Sequence, residues 1–285
     1  MTIRIAALQM PQQSHANVDD FLRLMTGYIQ GAAAYAPNFL VLPEHLSFGL
    51  AGGKTEIEPA LRHVATFFED IVAKQAALAR VLNLYLIGGS MPRRHGTEIR
   101  NTTPIVAPDG TVTYYDKLHL TPWEQSAGFS QGERWGLFDT QWGKMGVAIC
   151  YDVEFPEYIR HLGLHDIRAL FVPFQTDNRS GYWRVRHCAQ ARAIENECYV
   201  ALAGNAGTLS DNPLMDFNHS ISAILTPSDH LFPESGILRE SVPNAADLVV
   251  ADVDLDALDV LNESGSVQIK QDRRTDLYHL QAFTV

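Results

Sequence analysis

Short apolar runs rich in β-branched and aromatic residues alternate along this chain with longer segments of helical period, and the order is run through twice. In the first half IRIAALQ (3–9) precedes a helical stretch near 17–35, with apolar positions at Phe21, Leu24, Met25 and Tyr28, and the buried run FLVLP (39–43) follows. A second helical segment, 60–81, leads into LYLIGGS (84–90). After residue 145 the grammar returns: KMGVAICY, FPEYIRHLG, RALFVPF, WRVRHCAQARAIENE and CYVALAGN read as strand, helix, strand, helix, strand. Between the halves, IRNTTPIVAPDGTVTYYDK reads as a hairpin turning at Pro-Asp-Gly (108–110), and runs near 218–225, 236–240 and 247–252 read as further strands. Helices between buried strands imply α/β architecture, with sheets covered by helices on one face and packed together on the other. No linker or break in composition divides the sequence, so one domain is expected over 1–285. The weakly periodic tail from about 263 to 285 is expected to pack elsewhere, on a partner subunit.

Charge and cysteine usage narrow the function classes. Hydrophobic residues make up 46% and charged residues 19%, enough apolar material for a large core. With 33 acidic against 22 basic side chains, a formal charge of −11 and no dense Lys/Arg stripe, nucleic acid and anionic membrane are excluded as main partners. MTIRIAALQMPQQ reads as a first strand and not as a signal peptide, and no apolar run is long enough to span a bilayer. Cys150, Cys188 and Cys198 cannot all pair and lack metal-type spacing, so a cytoplasmic location is expected. His161 and His165 lie four apart but enclose Gly163 and no HExxH, so they read as solvated and no metal site is expected.

The polar residues that follow buried strands are where an α/β protein places its chemistry. Glu44 follows FLVLP, Lys117 closes VTYYDK, and Cys150 ends GVAIC. Singly, each has an ordinary explanation: a capping acid, a solvated lysine, a small buried thiol. Together a carboxylate, an ammonium and a thiol form a nucleophilic set, in which the cation favours thiolate, the acid moves the proton and sulfur attacks.

LVLPEHLSFG, YDKLHLTPWE and GVAICYDVEFPE, in this order and spacing, resemble the three signature blocks of the nitrilase superfamily of carbon–nitrogen hydrolases. The similarity extends from Ile3 to the DRRTDLY segment (272–278), and the 172–205 and 222–229 segments are closest to a branch often fused to an N-acetyltransferase domain. No such domain is expected in these 285 residues. The resemblance implies a four-layer αββα sandwich, a homodimer or larger homo-oligomer, and no metal or organic cofactor. Carried over by position, it implies Glu44 as general base, Lys117 as the cation beside thiol and oxyanion, and Cys150 as nucleophile. The Tyr151 backbone N–H would complete the oxyanion site. Glu124 in TPWE matches a second acid that can orient the substrate amide. Phe174, Gln175 and Trp183 fall where family members line the pocket. Glu154 stands where many members carry a basic residue, which removes the anchor that residue would give a substrate carboxylate.

The expected reaction is hydrolysis of a small linear amide through a thioester acyl-enzyme. The alternatives are nitrile or N-carbamoyl substrates, or a catalytically idle member serving as a binding or scaffold subunit. Specificity is expected to reside in loops around 48–58, 121–133 and 206–216.

Overall fold

The structure, a computed structural model, describes residues 1–280. In chain order the first half comprises β1 (Thr2–Pro11), α1 (Val18–Ala33), β2 (Phe39–Val41), α2 (Ile57–Val64), α3 (Phe68–Leu82), β3 (Tyr85–Ile87), β4 (Met91–His95), β5 (Glu98–Val106), β6 (Val112–Asp116), α4 (Pro122–Ala127) and β7 (Phe129–Ser130). The second comprises β8 (Leu137–Thr140), β9 (Gly143–Val147), α5 (Pro156–Gly163), β10 (Ala169–Phe174), α6 (Arg179–Asn196), β11 (Tyr199–Ala206), β12 (Ala223–Leu225), β13 (Ile237–Glu240), β14 (Asp247–Asp254) and α7 (Leu255–Ser264).

Alternation along β1 sets the layers, because successive side chains of a strand face opposite ways. Ile3, Ile5 and Ala7 pack into the core between the two sheets, together with Phe39, Val41, Val147 and Phe171. Ala6, Leu8 and Met10 face the other way, onto Phe21, Met25 and Ile29 of α1 and Phe68 and Ile71 of α3. Both faces are buried, which is why these runs read as nearly continuous apolar stretches. The first sheet runs β4-β5-β3-β2-β1, with β14 antiparallel along β1. The second runs β8-β9-β10-β11, continued by β12 and β13, and is covered by α5 and α6 through Tyr158, Ile159, Leu162, Tyr182 and Val185. Helices, sheet, sheet, helices make the four-layer αββα sandwich. The sheets join where β1 pairs β11 at Met10↔Asn205 and Pro11↔Ala206, a short parallel contact that brings Asn205 to the end of the first sheet.

Several elements differ from the sequence reading. The helix expected over 60–81 is two helices joined by a 3₁₀ turn at Ala65–Phe67, where the Thr66 hydroxyl donates to the His63 carbonyl at 2.6 Å. Apolar spacing continues across this junction through Val64 and Phe68, so periodicity does not reveal it. The strand expected over 218–225 contracts to Ala223–Leu225, while α4 and α7 were not foreseen. Beyond α7 the chain turns back on its own surface, with Lys270 Nζ 3.2 Å from Asp166; residues 281–285 of the expected tail lie outside the described residues. Among the described residues no helix is long and apolar enough to cross a membrane.

Candidate active site

Three strand ends and one short helix converge on a cavity of about 750 Å³ whose lining includes Glu44, Lys117, Glu124 and Cys150. The local backbone explains how Cys150 comes to face it. β9 stops at Val147, and Cys150 takes up a left-handed conformation (φ 45°) at the head of a 3₁₀ turn that ends at Glu154. A non-glycine residue there costs roughly 1–3 kcal/mol. The conformation is held from below by Asp152. Its fully buried carboxylate accepts from the Ile149 amide at 3.0 Å, the Tyr115 hydroxyl at 2.8 Å and the His119 amide at 2.8 Å. Pro156, which lacks an amide donor, opens α5 immediately afterwards. The Tyr151 N–H, in the first turn where helical amides have no partner, finds no acceptor among the described residues.

Lys117 is the centre of the charge arrangement. Its side chain is 1% exposed, and Nζ donates to Glu44 Oε1 at 2.8 Å and to both oxygens of Glu124 at 2.8 and 2.9 Å. Burial alone would pull the ammonium down, yet Glu124 and Glu44 hold it well above the ordinary lysine range. Burial likewise pushes the Glu124 carboxyl up, and Lys117 overrides it, holding the group at about 2 against an ordinary 4.5. The Glu44 carboxylate also accepts from the Gln175 amide at 2.9 Å through Oε2. The Cys150 thiol donates to the carbonyl of the same residue at 3.4 Å, so the backbone on either side of the Gln175 Cα positions acid and sulfur relative to each other.

The thiol does not rest as the thiolate that the sequence suggests. Burial pushes it well above the usual cysteine range, Glu44 adds to this, and Lys117 opposes them without winning. The physical reason is that the lysine's charge is answered by two carboxylates before it reaches sulfur.

Glu124 owes its place to α4, whose TPWE start is a capping box. Thr121 Oγ1 accepts from the Glu124 amide at 3.2 Å, and Glu124 Oε2 accepts from the Thr121 amide at 2.9 Å. Asn101 on β5, which the sequence reading missed, donates to Glu124 Oε1 at 2.8 Å and Glu44 Oε1 at 3.0 Å and ties the two acids together. Asn205 donates to the Glu44 carbonyl at 2.5 Å. His45, also missed, is buried with φ 53° and stacks on Phe48 at 4.2 Å. Burial lowers its pKa against the pull of Glu44 and Glu124, so the ring is neutral. Glu44, His45 and Glu124 are close enough to share a cation, but Lys117 Nζ already takes that position between the carboxylates.

Two expected pocket residues lie elsewhere. Phe174 is fully buried over Gly204, where an added Cβ would fall 2.4 Å from its ring, and strand alternation turns it away from the cavity that Gln175 reaches. Trp183 is 41% exposed and stacks on His187; its neighbours Arg184 and Val185 line the cavity instead, because adjacent helical residues point about 100° apart. Of the loops expected to shape specificity, 121–133 contributes lining residues at 121–124 and 206–216 at 212–216, while 48–58 contributes none.

The acid dependence of stability follows from Glu124. Its folded pKa lies below its unfolded value, so its contribution is complete above about 4.5 and is lost as pH falls toward about 2. Between pH 5 and pH 2, urea unfolding should show wild type losing more stability than Glu124→Gln. Equal losses would mean that Lys117 does not hold the ionised acid.

A buried lysine thus sits between two carboxylates beside a thiol at a strained strand-to-helix turn, and the chain belongs to the carbon–nitrogen hydrolase family, whose model matches residues 4–262. Among its relatives, "Probable hydrolase YhcX" of Bacillus subtilis is 36% identical over 282 residues, covering 98% of this chain and 55% of that protein. This chain therefore spans little more than half the length of that relative. The bovine (Bos taurus) omega-amidase NIT2 is 26% identical over 292 residues, covering 99% and 98% of the two chains. The carbon–nitrogen hydrolase structure from Helicobacter pylori G27 superposes with a TM-score of 0.81 at 19% identity, covering 97% of each chain.

Proposed function

We propose that this enzyme hydrolyses small linear amides through a thioester on Cys150. The observation that carries the reading is Lys117 Nζ, held at 2.8 Å from Glu44 and from Glu124 in a buried site that opens on the thiol's cavity. In this reading the protonated thiol gives its proton to Glu44 as sulfur attacks the carbonyl carbon. Burial holds the thiol well above the usual cysteine range, so its proton has to be removed by a base for sulfur to attack. Lys117 Nζ and the unpartnered Tyr151 N–H receive the oxyanion. Glu44 then protonates the departing nitrogen, the C–N bond breaks, and the acyl group stays on sulfur. Water, deprotonated by Glu44, attacks the thioester carbon; the C–S bond breaks, Glu44 returns the proton to sulfur, and the acid is released.

Glu124 is better suited to positioning than to accepting a substrate N–H. Both its oxygens are already engaged by Lys117, Asn101 and Thr121. The amide family of the relatives, the omega-amidase among them, supports amides over nitriles.

The test offers one acyl group as primary amide and as nitrile, with ammonia release and intact-protein mass followed together. The expected result is faster amide turnover, with an acyl adduct on Cys150 trapped by rapid acid quench. Faster nitrile turnover, or hydrolysis without an adduct under single-turnover conditions, would overturn the reading.

A further inference from the structure

The cavity over Cys150 is charged unevenly. Its lining carries the carboxylates of Glu44, Glu124, Glu154, Asp177 and Asp216 against two permanent cations, Lys117 and Arg184. Lys117 is committed to Glu44 and Glu124, so the outer wall sets three acids against Arg184 alone. Glu154 is the innermost of them. Its side chain is 11% exposed, whereas Asp177 and Asp216 lie at the exposed rim.

Glu154 is also rigidly placed relative to the nucleophile. It closes the 3₁₀ turn that Cys150 opens, a separation of roughly 8 Å at the usual rise per residue. Arg192 fixes the backbone, donating to the Val153 carbonyl at 3.0 Å and to the Glu154 carbonyl at 3.2 Å. Only one oxygen of the carboxylate is engaged: Oε2 receives Arg184 Nε at 2.7 Å, and among the described residues Oε1 receives nothing. Arg184 is 59% exposed, and an ion pair with so solvated a partner is weak. Burial is the main influence on Glu154 and raises its pKa, with Arg184 and then Lys117 opposing.

We infer that Glu154 selects amides whose acyl chain ends in a cation, an ammonium or guanidinium, and rejects those ending in a carboxylate. The inference rests on the amide-hydrolase reading and names its substrate class. A distal cation finds the open Oε1 in the wall of the same cavity as the thiol and offsets the acids of that wall. A distal carboxylate meets the carboxylates of Glu154, Asp177 and Asp216, with Arg184 the one opposing cation of that outer wall, and like charges are a basis for discrimination.

The experiment uses three primary amides of equal chain length ending in ammonium, hydroxyl and carboxylate. With wild type, kcat/KM should fall in that order, the cationic amide leading the neutral one at least tenfold, mainly through KM. Glu154→Gln should bring that ratio close to one, and Arg184→Gln should preserve the order. A circular dichroism melt checks that each variant is folded. Binding of the same amides to Cys150→Ala, measured by calorimetry, reads the charge preference even if none is hydrolysed. Absence of turnover and adduct with the binding order intact would therefore overturn the amidase reading and leave the selectivity standing. Turnover or binding without a charge order would overturn the selectivity. So would preference for the carboxylate amide that disappears in Arg184→Gln, which would make Arg184 an anion anchor.

Discussion

Cys150→Ala is expected to lower amide hydrolysis by at least about four orders of magnitude, the scale seen when a nucleophile is removed from an intact site. The fold should survive. Alanine carries the same Cβ into the left-handed conformation at φ 45°, so the backbone strain is unchanged. The lost sulfur makes one long contact to the Gln175 carbonyl at 3.4 Å. Truncating one buried heavy atom beside a cavity costs about 1 kcal/mol. Cys188→Ala is the control, because Cys188 sits partly exposed on α6 away from the cavity lining and should keep most activity. Turnover retained by Cys150→Ala above a hundredth of wild type would exclude a thioester route.

How far the sequence discloses this site depends on what kind of signal each residue leaves. Glu44 and Cys150 follow buried runs, where polar residue types contrast with their surroundings, whereas Lys117 follows the largely exposed β6, and the structure brings the three together within one cavity. α1 was readable from its helical spacing, and of its expected apolar positions Phe21 and Met25 are buried while Leu24 and Tyr28 are only partly so, Ile29 and Ala32 completing the buried face. Glu124 was named from its motif, yet TPWE also spells a capping box with proline at the first helical position, a local signal that fixes both α4 and the direction of the carboxylate. Asn101 is different. It lies inside β5 in the polar run Asn101-Thr102-Thr103, all buried, and only the tertiary approach of Glu44 and Glu124 to β5 gives Asn101 its role. Phe174 and Trp183 were misplaced because family position locates a residue along the chain. Strand pleat and helix rotation decide which way its side chain points.

The thiol's state shows the same limit in energetic form. A lysine near a cysteine suggests a thiolate when only residue types are known. The structure adds that Glu44 and Glu124 answer that lysine at hydrogen-bond distance, and that the thiol is buried, so the neutral form wins. The proton on sulfur becomes part of the proposed chemistry, and Glu44, held like Cys150 by the backbone of Gln175, is the group proposed to take it.

Lys117→Arg is expected to be nearly as inactive as Lys117→Ala, with a loss of about two to three orders of magnitude or more in kcat, the effect of removing one oxyanion donor. Charge is conserved, but a planar guanidinium needs more room than an ammonium that is 1% exposed and lies 2.8 Å from two different carboxylates. Stability separates the structural part of the role from the chemical part. Lys117→Ala leaves Glu44 and Glu124 buried without their counter-charge, a loss on the order of 3–5 kcal/mol for a broken buried pair. Combining Lys117→Met with Glu124→Gln removes one of those charges together with the cation, so the melting temperature should recover part of the loss while turnover does not. Urea unfolding and steady-state kinetics on the same preparations give both numbers. If the double variant regained activity along with stability, or if Lys117→Arg worked near the wild-type rate, Lys117 would supply only a diffuse field, and the oxyanion would have to be held by the Tyr151 N–H alone.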